Sequence, residues 1–175
     1  MTQVLRGKPR HYAENIEYVH GIVHRGIYFI ATRLFSNVAN DGFAYMRISA
    51  NGDQLHGLLS VDAMGMSEMA VYKESTVSDG TEIALAHLND ARNRGAELTA
   101  KFYYSPTVTE GNRGNIWLPT QLIPGGLGPQ SVSGSYRAGE EMILVEGGTY
   151  LVAVQNKSGQ AKNIQISAGF YPSHL

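Results

Sequence analysis

The chain contains no cysteine and a single tryptophan. It also lacks any apolar run of the ~18 residues that a membrane span needs. Without cysteine there is neither a disulfide framework nor a thiolate metal site, and the composition fits a protein made in a reducing cytoplasm. A dominant charge sign is missing as well: 14 basic residues stand against 15 acidic ones, a formal net charge of −1. No field of that size draws in a nucleic-acid backbone, so nucleic acid is excluded as a general partner. Met1 to Tyr12 lack the apolar stretch of a secretory signal, which sets the expectation of a soluble, unprocessed chain.

Catalytic signatures are absent too. There is no Gly-x-Ser-x-Gly elbow and no Walker loop, and Gly125-Gly126-Leu127-Gly128 runs into Pro129 instead of opening a helix that could cradle phosphate. Glu140-Glu141 and Asp62 are the only carboxylates that invite an acid–base reading. Adjacent carboxylates on a strand point to opposite faces, so these read as solvated. The expectation is a protein with no catalytic residue, no cofactor and no enzyme activity.

What is present is the material of a β-rich globule: 175 residues, 43% hydrophobic and only 17% charged, with 20 glycines and 10 tyrosines. A chain of this length forms one domain and buries roughly 70% of the surface its unfolded form exposes. Residues 1–14 carry Arg6, Lys8 and Arg10 without hydrophobic period and read as an extended arm, with the domain proper at 15–175. The last thirty-five residues give the clearest β pattern. Two-sided apolar segments around Met142–Leu144 and Tyr150–Val154, with turns at Gly147-Gly148 and at Asn156–Gly159, predict hairpins. The alternation of Ile164, Ile166, Ala168 and Phe170 adds a strand with one wet face, so the chain is expected to end in a meander that folding requires.

Upstream, Ile16–Phe35 predicts one or two strands bent at Gly21 and Gly26, and Phe43–Ser49 predicts a strand joined by an Asn51-Gly52-Asp53 hairpin to Gln54–Val61. Glu68–Lys73 predicts another strand, after Met64 and Met66, which with Met69 read as core filler. Thr81–Arg94 fits equally an amphipathic helix or a strand plus loop. Ala96–Ser105 resumes strand character. Glu110–Gly139 reads as a large Gly/Pro-rich loop broken only by Ile116-Trp117-Leu118. Serial short strands without a βαβ rhythm predict an all-β jelly roll or sandwich with at most one or two short helices.

His20 and His24 would share one face of a helix and could ligate one metal ion, but on a strand they stand roughly 13 Å apart, so no metal site is expected within one chain. A three-fold axis could still bring several copies together. The apolar triplet Ile116-Trp117-Leu118, set in a loop, must bury itself in its own domain or against a neighbour. Asn156-Lys157-Ser158 matches a glycosylation acceptor, yet reads first as a turn.

The opening Glu17-Tyr18-Val19-His20-Gly21-Ile22-Val23-His24-Arg25-Gly26-Ile27-Tyr28-Phe29, the central Asn89-Asp90-Ala91-Arg92-Asn93-Arg94 and the closing Glu141-Met142-Ile143-Leu144, Thr149-Tyr150-Leu151-Val152 and Phe170-Tyr171 together resemble a family. That family is the jelly-roll decoration, or cement, proteins that trimerise on the outside of tailed-bacteriophage heads. The resemblance covers most of residues 15–175, although Pro172-Ser173-His174-Leu175 departs from the usual ending. It implies a homotrimer on the outer surface of the capsid, made in the bacterial cytoplasm, that holds the major capsid protein lattice against DNA pressure. On that reading Arg6, Lys8 and Arg10 are candidate capsid contacts, and Ile116, Trp117, Leu118, Arg92 and Arg94 are candidate trimer contacts. The other classes that share the fold are a carbohydrate-binding sandwich, recognised by exposed aromatics on one face and a surface glycan partner, and a cupin-like metalloenzyme, which needs clustered His and carboxylate ligands.

Overall fold

The structure, a computed structural model, describes residues 20–52, 54–89, 98–127, 133–137 and 141–173. The predicted arm at 1–14, with Arg6, Lys8 and Arg10, lies outside those residues, as do Arg92 and Arg94. The first described element is helical, α1, seen over residues 20–25. It is followed by β1 (Phe29–Val38), β2 (Phe43–Ser49), β3 (Leu55–Ala63), β4 (Ser67–Lys73), β5 (Thr81–Glu82), β6 (Ala86–His87) and β7 (Lys101–Tyr104). The remaining strands are β8 (Asn115–Ile123), β9 (Gly134–Arg137), β10 (Met142–Leu144), β11 (Thr149–Asn156) and β12 (Lys162–Pro172).

These strands form two 6-stranded antiparallel sheets, one ordered β10-β3-β12-β1-β6 with β9 also on β3, the other β5-β7-β2-β11-β4-β8. Beneath the additions at their edges, the sheets reduce to β9/β10-β3-β12-β1 and β2-β11-β4-β8, the double Greek key of an 8-strand jelly roll. The predicted all-β jelly roll is therefore the fold. Its core lies between the sheets: Ala44, Met46 and Ile48 of β2 and Val152 and Val154 of β11 face Leu59, Val61, Ile164 and Ile166. Phe102 stacks on Phe170 at 4.3 Å between ring centroids, and Phe170 on Phe29 at 5.8 Å, so an aromatic column joins the two sheets.

The predicted hairpins are not hairpins. β2 and β3 lie in opposite sheets, as do β10 and β11, and again β11 and β12. The chain reverses at each predicted turn, but it crosses the sandwich instead of pairing with the strand it has just left. Glycine and asparagine specify the reversal and not the partner, because a hairpin and an arch both need a tight turn. The hydrogen bonds go to distant strands: β12 is central, flanked by β1 and β3, with Phe29 opposite Phe170 and Ala168 opposite Leu59. Neighbouring arches are then tied to one another. Ala50 N–H donates to Gly148 C=O at 2.9 Å and Gly147 N–H to Ala50 C=O at 2.6 Å. At the other end Asp41 N–H donates to Asn156 C=O at 2.8 Å.

Three further expectations change. The segment 81–94 resolves in favour of strand, as β5 and β6, while residues 90–94 lie outside the described set. The large loop at 110–139 contains β8 and β9; a Cβ on Gly134, at the start of β9, would overlap the Pro124 carbonyl oxygen, so the two segments meet only through a glycine. Of the methionines read as core filler, Met69 is buried but Met64 is exposed, because it sits on the turn after β3.

Candidate functional site

The inward face of each strand is committed to the core, so the two outer faces and their rims are what the roll can offer a partner. On the β3-β12-β1 sheet the two middle outward rows carry no charge. Ser60, Ser167 and Thr32 lie side by side, and the Thr32 and Ser167 hydroxyls are 2.7 Å apart. Leu58 and Ile30 flank Gly169 in the next row. Leu34 (51% exposed), Leu58 (42%) and Ile143 (46%) stand out of this face in separate rows, and Asp62, in the Leu34 row, pairs with Arg137 at 3.4 Å.

One end of that face is closed by α1. Ile22 and Ile27 bury against Tyr171, and Tyr28 stacks on Tyr171 with 6.3 Å between centroids. Glu141 anchors the same end: it accepts a hydrogen bond from the Tyr171 hydroxyl and lies 2.9 Å from His56 Nδ1. It is held by these partners while remaining exposed. Burial, and then the Glu141 charge, push the Tyr28 hydroxyl above its ordinary pKa.

The outer face of the β2-β11-β4 sheet has a different character. Phe43 and Tyr45 stack at 5.2 Å, and the Arg47 guanidinium sits 3.7 Å over the Tyr103 ring. Arg113 follows the 3₁₀ turn Glu110–Asn112 and reaches back over Phe43 (5.6 Å) and Tyr72 (5.5 Å). Burial works against the Arg113 charge, but hydrogen bonds and the charges of Tyr72 and Tyr45 outweigh it and hold the guanidinium even more firmly protonated. Between these groups is an open cleft of ≈ 110 Å³ walled by Phe43, Glu68, Tyr72, Arg113 and Gln155. A broader cleft of ≈ 430 Å³ lies where β6 covers only Phe29 and Ile30 of β1; Arg33 sits 3.7 Å over Tyr104 beside it. Sequence reading missed all three arginine–aromatic sets, since no spacing links Arg113 to Tyr72.

The predicted site residues are dispersed. Ile116, Trp117 and Leu118 belong to β8, paired with β4, and not to a loop. Trp117 turns into its own core against Tyr150 at 5.2 Å and Leu118 is half-buried, which leaves Ile116 (55% exposed) and Leu122 (62%) as exposed large apolar residues of the edge strand. His20 and His24 lie on α1 and not on a strand, so the expected separation is replaced by contact, Nε2 to Nε2 at 2.8 Å. Asn156 is fully buried, which rules it out as a glycan acceptor in the folded protein. Among the described residues no group of three His, Asp or Glu side chains is placed to hold a metal ion, and no helix is long and apolar enough to cross a membrane.

No family model and no curated protein matches this chain. Among solved structures it has a faint likeness to the unassembled VP1 pentamer (R198K mutant) of Washington University Polyomavirus, at 7% identity over 83% of this chain and 76% of that one. The TM-score is 0.12, too low to relate the two folds.

Proposed function

We propose that this chain is a structural subunit of a tailed-phage head, a non-enzymatic homotrimer that docks on the outer surface of the capsid and reinforces the major capsid protein lattice. The observation that carries the reading is the outer face of the β3-β12-β1 sheet, where Leu34, Leu58 and Ile143 stand exposed among Ser60, Ser167 and Thr32 on a rigid sandwich. Such a face suits protein contact. The resemblance of residues 15–175 to decoration proteins supports the same reading.

The test is co-sedimentation of the purified protein with expanded capsids that lack decoration. Saturable binding is expected, and a chain starting at Asn15, without Arg6, Lys8 and Arg10, is expected to bind more weakly and with a shallower salt dependence, because exposed charges of that kind steer association. Failure of the full-length protein to bind any such capsid would remove the proposal.

A second reading is favoured by the other sheet. Phe43, Tyr45 and Tyr72 beside Glu68, Gln155 and Arg113 pair flat rings with polar groups, the combination that holds a sugar ring. Glycan-array binding that Tyr72→Ala abolishes would establish a surface-glycan role; an empty array would leave the platform as packing.

A further inference from the structure

The described part of α1, residues 20–25, is held in place by the fold. Ile22 faces inward and is buried with Ile27 and Tyr171. Asn89 Nδ2 donates to the Val23 and His24 carbonyls at 3.1 and 3.3 Å, satisfying the end of the helix, and Gly26 (φ +75°) closes it with its N–H on Val23 C=O at 3.0 Å. Residues 20 and 24, half a turn from Ile22 in angle, therefore face solvent with their backbone fixed. Their rings meet edge to face, centroids 4.2 Å apart, and their Nε2 atoms are 2.8 Å apart.

We propose that His20 and His24 are a chelating pair for one divalent transition-metal ion, with copper(II) or nickel(II) preferred to zinc(II). Ligand bonds of about 2.0–2.1 Å to two nitrogens 2.8 Å apart enclose an angle of about 85°. That angle is the cis angle of a square or octahedral ion. Tetrahedral zinc holds its nitrogens about 3.3–3.4 Å apart and would have to pry the rings open. Imidazole nitrogen suits all three metals, so the bite distance is what selects among them. No third ligand from the described residues closes the site.

The experiment is titration of copper(II), nickel(II) and zinc(II) chlorides into full-length protein in a non-coordinating buffer, followed by calorimetry, with the copper complex also read by electron paramagnetic resonance. The expected result is one ion per chain, copper and nickel at least tenfold tighter than zinc, and a copper spectrum with two nitrogen ligands. His20→Ala and His24→Ala each weaken binding at least tenfold, while His56→Ala leaves it unchanged. Both variants alter exposed side chains, and circular dichroism checks that they stay folded. Binding that survives either α1 substitution, zinc binding as tight as nickel, or no binding to the unaltered protein would each overturn the proposal.

Discussion

The Asn156 side chain donates to the carbonyls of Val38, Ala39 and Gln160 and accepts from the Ser158 N–H, so one buried amide joins the β1–β2 arch to the β11–β12 arch. Asn156→Ala takes the amide from those part-buried carbonyls, and a loss of about 1–3 kcal/mol in urea unfolding is expected, the range for an unsatisfied buried group. Gly134→Ala forces a Cβ into the Pro124 carbonyl, an obstacle that is backbone and cannot rotate aside. A cost of about 1–3 kcal/mol by the same assay is the expectation. Asp79 accepts from the Thr107 N–H at 2.9 Å, and hydrogen bonding to Thr107 holds its carboxyl below the usual value. A depressed folded pKa contributes stability at pH above the unfolded value, near pH 4, which is lost as pH falls through the folded one. Asp79→Asn should flatten that part of the acid limb of a stability-against-pH curve; an unchanged limb would assign the acid sensitivity elsewhere.

Among the elements, β8 is the one whose two sides disagree. One edge pairs with β4 and Trp117 packs on Tyr150, while Ile116 and Leu122 face out on a strand that ends the sheet. Pro119 in its middle lacks a donor, which suits an edge and discourages indiscriminate strand addition. If β8 forms part of the trimer contact, Leu122→Lys should shift the protein towards the 19.1 kDa monomer in light scattering without changing its circular dichroism. Trp117→Ala should instead destabilise the fold itself, by about 1–3 kcal/mol for a half-buried ring. The two substitutions separate packing from association within one strand.

At the scale of the whole molecule, β12 lies at the centre of its sheet between β1 and β3, so strands more than a hundred residues apart must meet before the roll can close. Refolding is expected on the millisecond-to-second scale or slower by stopped-flow fluorescence, because long loops must be ordered before their contacts form. A chain stopped after Gln160 loses the central strand and should be recovered only in insoluble form. Light scattering of the intact protein at micromolar concentration should return three times the chain mass if the proposed trimer is correct.

Strand content was legible in the residues themselves. Alternation in Phe43–Ser49 and Lys162–Pro172 fixes which side chains go inward, because a strand has a period of two whatever it pairs with. The jelly-roll class followed from many such strands punctuated by turns. Partnership was not legible: Asn51-Gly52 and Gly147-Gly148 mark reversals, and only the facing sheet turned those reversals into arches. The candidate site was hidden for the same reason. His20 and His24 took their meaning from a helix held by Ile22, Tyr171 and Asn89, and Arg113 found Tyr72 across forty residues of chain. Local sequence sets the period and the turns, since these depend on near neighbours. Which strands, rings and charges meet depends on burying every apolar face at once, and that is settled only by the closed sandwich.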